Sequence, residues 1–444
     1  MTEPYSRNIN QNNEANIGFL LSQPIDFYVF KSVYSNLPNA EFIIDRSSFI
    51  DRKTLDNLLT IVSNRKVYWR LYEPSNSATS REEFYNKYGL LVSTKYLQVL
   101  RASYNQDKKK VRIMADHSDI IKNFGLWNAY FDLILCPGDF SHSVLSMYYN
   151  TVITGNPLFD DWILHGVTDD DTASDIKSTL DPSKKTILCV DLDAKYLLHK
   201  LFSSLHQLTN EYNFIIWSKP NRYFDNEARG QLLSAFASNK NIYFAPDTAD
   251  IMSLFNSAYL LVVEATGFLF ETLIAKKPTI IIENPYAKLQ AGIYMSPPFE
   301  IAIEKIGPVL KETREIKNDP VPQQIQFSKI KEIIIEAFHT NKQYSESRNE
   351  IFIRFFTAND GKSGKRSAEK LIQLLYQQYN KPSFLRKSVD IYERDLWNSL
   401  ELKNKIPKEP GETKRGLREA GRRYKEIKRQ PFVSKIMSIL DDFF

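Results

Sequence analysis

The feature that most constrains this 444-residue chain is a pair of short apolar runs, residues 259–263 and 279–282, separated by a polar turn at 264–267 and a helix-length segment. Runs that stay apolar without alternating suit strands covered on both faces, the situation of a parallel sheet. Strand, turn, helix and strand together make a βαβ unit. The turn aims the first N–H groups of a helix, with the Thr266 hydroxyl and the Gly267 backbone, at whatever lies beyond the strand end. Such a helix start favours phosphate through hydrogen bonding and dipole. Two readings follow: a nucleotide-diphosphate pocket in which Glu271 accepts from ribose hydroxyls, or an ordinary capped helix. The glycine-rich fingerprints that would separate them are missing.

The same alternation runs through the chain. Residues 17–21, 40–44, 66–71, 110–115, 133–136 and 151–154 read as strands, with helical patterns at 27–35, 51–63 and 81–88. A polar, acidic stretch at 161–185 reads as a linker. Strands then resume at 186–190, 214–217 and 242–244, with helical patterns at 195–208 and 227–236 and an N-cap at Asp247. Strands separated by helix-length segments indicate parallel sheets with helices on both faces. The expected fold is therefore α/β, two Rossmann-like domains of GT-B type facing a cleft, with ligands at strand C-terminal ends. The expected domains are 1–160, which would carry the acceptor, and 186–345, which would carry a nucleotide donor. Closing helices at 346–380 would cross back to the first domain, ahead of a basic helical tail at 381–444.

Composition bounds the rest. A hydrophobic share of 43% with 25% charged residues suits a globular chain with a sizeable core. Cys136 and Cys189 sit in apolar runs and read as buried thiols of a reducing compartment. The polar first sixteen residues do not resemble a secretory signal, and no window offers the ~18 apolar residues of a spanning helix. These features predict a cytoplasmic protein. Residues 381–444 carry 16 Lys/Arg against 10 Asp/Glu, a net of +6, leaving −1 for the other 380 residues. Eight of those bases, from Lys414 to Arg429, precede an apolar amphipathic stretch ending in Phe443 and Phe444. That order suits an anionic membrane surface. It suits nucleic acid less, because few aromatics interleave with the bases and the body offers no basic groove.

Several strand ends carry candidate chemistry. Asp116, His117, Ser118 and Asp119 follow the strand at 110–115; a histidine there can take a proton near neutral pH, with Asp116 or Asp119 orienting it. Ser118 or Asp119 can equally cap a helix. Gly155 and Asn156, before Pro157, turn the chain sharply and shape the cleft floor. Lys219 and Arg222 can neutralise a diphosphate, or can simply lie on a surface loop. Residues 361–367 (GKSGKRS) lack phosphate-loop spacing and read as the turn before an amphipathic helix. His142 and His165 are weaker candidates. No histidine, cysteine or carboxylate cluster has metal-ligand spacing.

Together these residues resemble the CDP-glycerol glycerophosphotransferases of teichoic-acid and capsule assembly, in the superfamily that also holds non-hydrolysing UDP-GlcNAc 2-epimerases. Residues 111–122 (VRIMADHSDIIK) are similar to the strand and "HGTPLK" loop of that family. Residues 130–137 (YFDLILCP) and 153–160 (ITGNPLFD) are similar to its "D-x-hydrophobic-P" and "G-x-P-R-x-D" run. Residues 256–267 (NSAYLLVVEATG) with Lys277 and Pro278 resemble its nucleotide block, and 359–366 (NDGKSGKR) its "DGxxsxR" helix opening. Ser118 and Ile120 stand where the family has glycine and proline, Ala265 and Thr266 replace its serine pair, and Ser218-Lys219-Pro220 replaces its second histidine motif.

The resemblance implies a transferase that moves a glycosyl or polyol-phosphate group from a nucleotide-activated donor to a surface polysaccharide or lipid-linked acceptor. His117 would be the base. Lys219, Arg222, Thr266, Gly267 and Glu271 would hold the donor, with no metal and no separate cofactor required. The tail would place the enzyme at the inner face of the cell membrane, with no nucleic-acid partner. The alternatives are an NDP-sugar 2-epimerase and a non-catalytic binding protein of the same fold.

Overall fold

The computed structural model describes residues 16–46, 51–74, 80–102, 105, 107–115, 123–166, 171–190, 192, 204–217, 234, 239–264, 269–282, 305–310 and 329–377. The chain divides into two compact units, Met1–Tyr379 and Asn380–Phe444. The second unit, and with it the expected basic tail, lies outside the described residues.

The first unit holds two parallel sheets. One has seven strands: β1 (Asn16–Leu21), β2 (Ala40–Asp45), β3 (Trp69–Tyr72), β4 (Tyr88–Ser93), β5 (Lys109–Ile113), β6 (Leu133–Cys136) and β7 (Thr151–Ile153). Their order across the sheet is β3-β2-β1-β4-β5-β6-β7. The other has six: β8 (Lys185–Val190), β9 (Tyr212–Trp217), β10 (Ile242–Phe244), β11 (Leu260–Glu264), β12 (Thr279–Ile282) and β13 (Val309–Leu310), in the order β10-β9-β8-β11-β12-β13. In each sheet the order reverses beside the first strand, between β1 and β4 and between β8 and β11. A crevice opens beyond the strand ends at such a switch point, and it is where open α/β sheets take ligands. The central strands are sealed on both faces: Phe19 and Leu91 in the first sheet and Leu188 and Val262 in the second, on opposite faces in each, are all 0% exposed. Each such side chain contributes roughly 1.5–3 kcal/mol.

The helices used below are α1 (Pro24–Tyr34), α2 (Arg52–Ser63), α3 (Asp139–Leu145), α4 (Asp160–His165), α5 (Asp171–Thr179), α6 (Ile251–Ser257), α7 (Leu269–Thr272), α8 (Ile330–His339), α9 (Asn341–Phe355) and α10 (Ser363–Tyr376). The closing pair α9 and α10 bridges the sheets. At its middle α9 is tied to the second sheet's side, where Ser347 Oγ donates to Lys305 O (2.6 Å) and Arg348 Nη1 to Ile306 O (3.3 Å). At its end Phe355 stacks on Phe270 (centroids 3.8 Å) and packs on Phe140 of the first domain (4.6 Å). Helix α10 then lies on α1, so closely that a Cβ on Gly364 would come within 2.5 Å of Ser32. Its last carbonyls, those of Leu374, Leu375 and Gln377, accept from Lys109 Nζ. A cation at a helix C-terminus also matches the dipole.

Three expectations are corrected. The helix read over 81–88 ends at Asn86, and Tyr88–Ser93 is strand β4, at the centre of the first sheet; a single residue, Lys87, separates the two periodicities. The strand read from residue 66 begins at Trp69. Asp247 does not cap α6. Asp250 does, accepting from Met252 N at 3.0 Å, while Asp247 pairs with Lys53 Nζ of α2 at 2.7 Å. The segment read as a linker contains α4 and α5, and the latter receives Asp250 N on Thr172 Oγ1 (3.2 Å). The helical pattern at 227–236 lies outside the described residues except for position 234, and only the end of the pattern at 195–208 is described, with residues 204–207 helical.

Candidate functional site

At the C-terminal edge of the first sheet, buried polar side chains join the exits of β1, β4, β5 and β7. Asp26, 0% exposed, opens α1 just after β1. It accepts from Ser22 N (2.8 Å), Ser22 Oγ (2.7 Å), Gln23 N (3.0 Å) and, across the switch point, Thr94 Oγ1 (2.7 Å). The Thr94 carbonyl in turn accepts from Arg112 Nε at 3.0 Å. Arg112, on β5 and 2% exposed, also donates through Nη1 to Asn123 O (2.6 Å) and Asn128 Oδ1 (2.7 Å), and through Nη2 to Asn123 Oδ1. Asn156, after β7, donates through Nδ2 to Ala115 O (3.1 Å) and accepts from Leu158 N (3.1 Å). Charged and amide groups buried this deeply hold their positions only when their bonding capacity is met.

A second knot lies beside it. Gly155 has φ +85°, and a Cβ there would overlap Ala358 O and Ser363 Oγ. Arg366 Nε donates to Thr154 O (2.9 Å), and Nη1 forms a fork with Asp360 at 2.8 and 2.9 Å. Asp160 accepts from Ser363 N (3.0 Å) and Gly364 N (2.6 Å), capping α10. Burial raises the Asp160 carboxyl above its ordinary range, against the opposing pull of those two N–H groups. The start of the GKSGKRS helix is thus already occupied by a carboxylate of the chain, which is the physical reason it is no phosphate loop. The two sequence stretches 153–160 and 359–366 are one structural unit.

On the second sheet, β11 ends at Glu264, 2% exposed, and the described part of the helix beyond it is α7 and one 3-10 turn, Leu273–Ala275, stopped by Lys276 in the left-handed region (φ 52°). Glu271 on α7 is enclosed, at 0% exposure. Among the sequence-selected residues, Gly155, Asn156 and Glu271 are described. Asp116, His117, Asp119, Lys219, Arg222, Thr266 and Gly267 lie outside the described residues. Sequence reasoning passed over Asp26, Thr94 and Arg112. Serine, proline and aspartate after a strand signal a helix start, but no local pattern ties residue 26 to 94 or 112 to 123.

The remaining candidates have ordinary roles. His142 Nδ1 meets Thr151 Oγ1 at 2.8 Å, tying α3 to β7. Cys136 and Cys189 are pushed up to about 12 by burial, so their thiols stay protonated and inert. Among the described residues no group of three His, Cys, Asp or Glu side chains is placed to hold a metal ion. No helix among them is long and apolar enough to cross a membrane.

No protein-family model matches the chain, and no curated protein matches it in sequence. Solved structures do match. The wall teichoic acid polymerase TagF superposes with a TM-score of 0.54 at 14% identity, covering 82% of this chain and 89% of that one. S. aureus MnaA bound to UDP gives 0.53 at 15% identity, covering 83% and 99%. UDP-GlcNAc 2-epimerase from Neisseria meningitidis bound to UDP-GlcNAc gives 0.52 at 14%, covering 81% and 100%. The chain therefore has the GT-B type of fold, two Rossmann-like parallel-sheet domains, and its structural neighbours are of the two kinds that its sequence resembles.

Proposed function

We propose that the chain is a GT-B transferase that moves a glycosyl or polyol-phosphate group from a nucleotide-activated donor to a bacterial surface polysaccharide. The observation that carries this reading is the pairing of two switch-point sheets with polar chemistry at the strand exits of each, in a fold shared with a teichoic acid polymerase and with nucleotide-sugar epimerases.

In this reading the donor lies against the second sheet, beyond β8 and β11. Thr266 and Gly267 meet the diphosphate, Lys219 and Arg222 balance the charge that develops on the leaving nucleotide, and Glu271 accepts from the ribose. The acceptor hydroxyl lies against the first sheet. His117 removes its proton as the oxygen attacks the transferred group, and Asp116 or Asp119 orients the imidazole. The Gly155–Asn156 turn shapes the floor beneath. The proposed setting is the inner face of the cell membrane, with the basic tail on anionic lipid and the acceptor carried on a membrane lipid.

The test is thermal stabilisation by CDP-, UDP-, GDP- and CMP-linked compounds. A ligand at a hundred times its Kd stabilises the folded chain by about 2.7 kcal/mol. One nucleotide class raising the midpoint above the others supports the reading. No stabilisation by any of them contradicts it.

A further inference from the structure

The two domains meet through segments that follow the C-terminal ends of their strands, and they meet on both sides of the switch points. On one side, Phe140 of α3, after β6, and Phe270 of α7, after β11, both pack on Phe355 of α9, with centroids 4.6 and 3.8 Å away. On the other side, α1 and α2, which follow β1 and β2, meet the loop 245–250 that follows β10. There Tyr28 OH donates to Thr248 O (2.7 Å), Lys53 Nζ pairs with Asp247 Oδ2 (2.7 Å), and Asn57 Nδ2 reaches the same oxygen (3.4 Å). Strand order sets the two contacts apart. Strands β1 and β2 lie to one side of the first switch point and β6 to the other, as do β10 and β11 about the second.

The two sides differ in kind. Phe270 and Phe355 are buried apolar rings, and near them α9 runs on towards α10 and the first domain. The other side is tied by polar bonds. A hydrogen bond such as that of Tyr28 is worth about 2- to 10-fold in an equilibrium. The Lys53 side chain is 54% exposed, so salt screens its ion pair, which is worth about 1.5- to 5-fold.

We infer that Tyr28, Lys53 and Asp247 form a releasable clasp across the cleft. While it is made, the domains are held together beside the switch points; when it breaks, the second domain turns about the Phe355 side and opens the cleft to ligand. Hinged closure of this kind needs a firm side and a weak one. The inference goes beyond the transferase reading and does not depend on it, because it concerns the chain without ligand.

The test is single-molecule energy transfer in the full-length chain, between dyes on Lys66→Cys and Lys240→Cys. Both positions are exposed, and they precede β3 and β10 on the clasp side of each sheet. The native Cys136 and Cys189 are buried and stay unlabelled. Wild type should populate chiefly the shorter distance. Tyr28→Phe combined with Asp247→Ala should raise the ratio of open to closed molecules by roughly 3- to 50-fold. Lys53→Glu should open the clasp by repulsion while leaving α2 intact, since an acidic residue in the first turn suits the helix dipole. Added salt should open the wild type and not the Asp247→Ala variant. One unchanged distance in all variants marks a fixed interface and overturns the inference, as does a wild type found chiefly at the longer distance. Opening of Lys53→Glu together with lost helical circular dichroism makes the contact part of the fold itself, and overturns it too.

Discussion

Replacing Gly155 with alanine tests whether the turn after β7 is as tightly built as the structure shows. Two costs add. The backbone there has φ +85°, a conformation that charges an L-residue roughly 1–2 kcal/mol. The new Cβ would also overlap Ala358 O and Ser363 Oγ and lie 3.1 Å from Arg366 Nη2. Ala358 O is backbone, and it is bonded to Arg366 Nη2 (2.7 Å), so it cannot swing aside. Overpacking of this kind costs about 1–3 kcal/mol. The sum is about 2–5 kcal/mol. Gly361 supplies the control. It too has a left-handed φ, +75°, but the atoms its Cβ would meet belong to the Leu164 side chain, which is 55% exposed and free to turn away. Gly361→Ala should therefore show the backbone cost alone, and the difference between the two variants should be about 1–3 kcal/mol. Urea unfolding midpoints at unchanged slope give both values. Equal losses in the two variants, or no loss at Gly155, would refute the account of this turn.

Other outcomes follow from the same geometry. Asp160→Ala should lose about 2–3 kcal/mol by leaving Ser363 N and Gly364 N without their acceptor, and Asp160→Asn, which keeps one acceptor oxygen, should lose less. Because burial raises the Asp160 carboxyl, its contribution to stability is fully present below the ordinary unfolded value and is lost as pH rises through the folded one. The wild type should thus gain on Asp160→Asn between pH 7 and about pH 4, and a falling difference in paired urea titrations would be contrary to this. Gly267→Val should weaken nucleotide binding tenfold or more, about 1.4 kcal/mol, by calorimetry; normal binding in a folded variant would move the donor site elsewhere. Full-length protein should pellet with liposomes in proportion to anionic lipid while a version ending at Asn380 stays in the supernatant, and equal behaviour of the two would remove the membrane role of the tail.

The two sheets were legible in the sequence where strands carry unbroken Val, Ile and Leu runs: 260–263 and 280–282 need both faces covered and nothing else competes. Strand β4 was hidden because Tyr88–Ser93 follows a helix with one residue between, so that no turn signal separates the periods. Asp247 and Asp250 stand three residues apart as rival caps, and only a tertiary partner, Lys53, decides between them. The polar belt was illegible for the same reason. Asp26 meets Thr94 only once strand order sets β1 beside β4, and Asp160 meets Gly364 only once α10 packs against the first domain; local spacing announces neither, nor the pairing of Arg112 with Asn123.

The central claim, transfer from a nucleotide-activated donor, is tested most directly by nucleotide release. Purified full-length chain is given each nucleotide-linked sugar or polyol with and without a membrane-lipid-linked polysaccharide acceptor, and free nucleotide and product are followed together. The account predicts release from one donor class only when the acceptor is present, matched by growth of the acceptor and reduced by about 10²-fold in His117→Ala. Conversion of a nucleotide sugar to its epimer without acceptor, or no release from any donor that the chain binds, would contradict it.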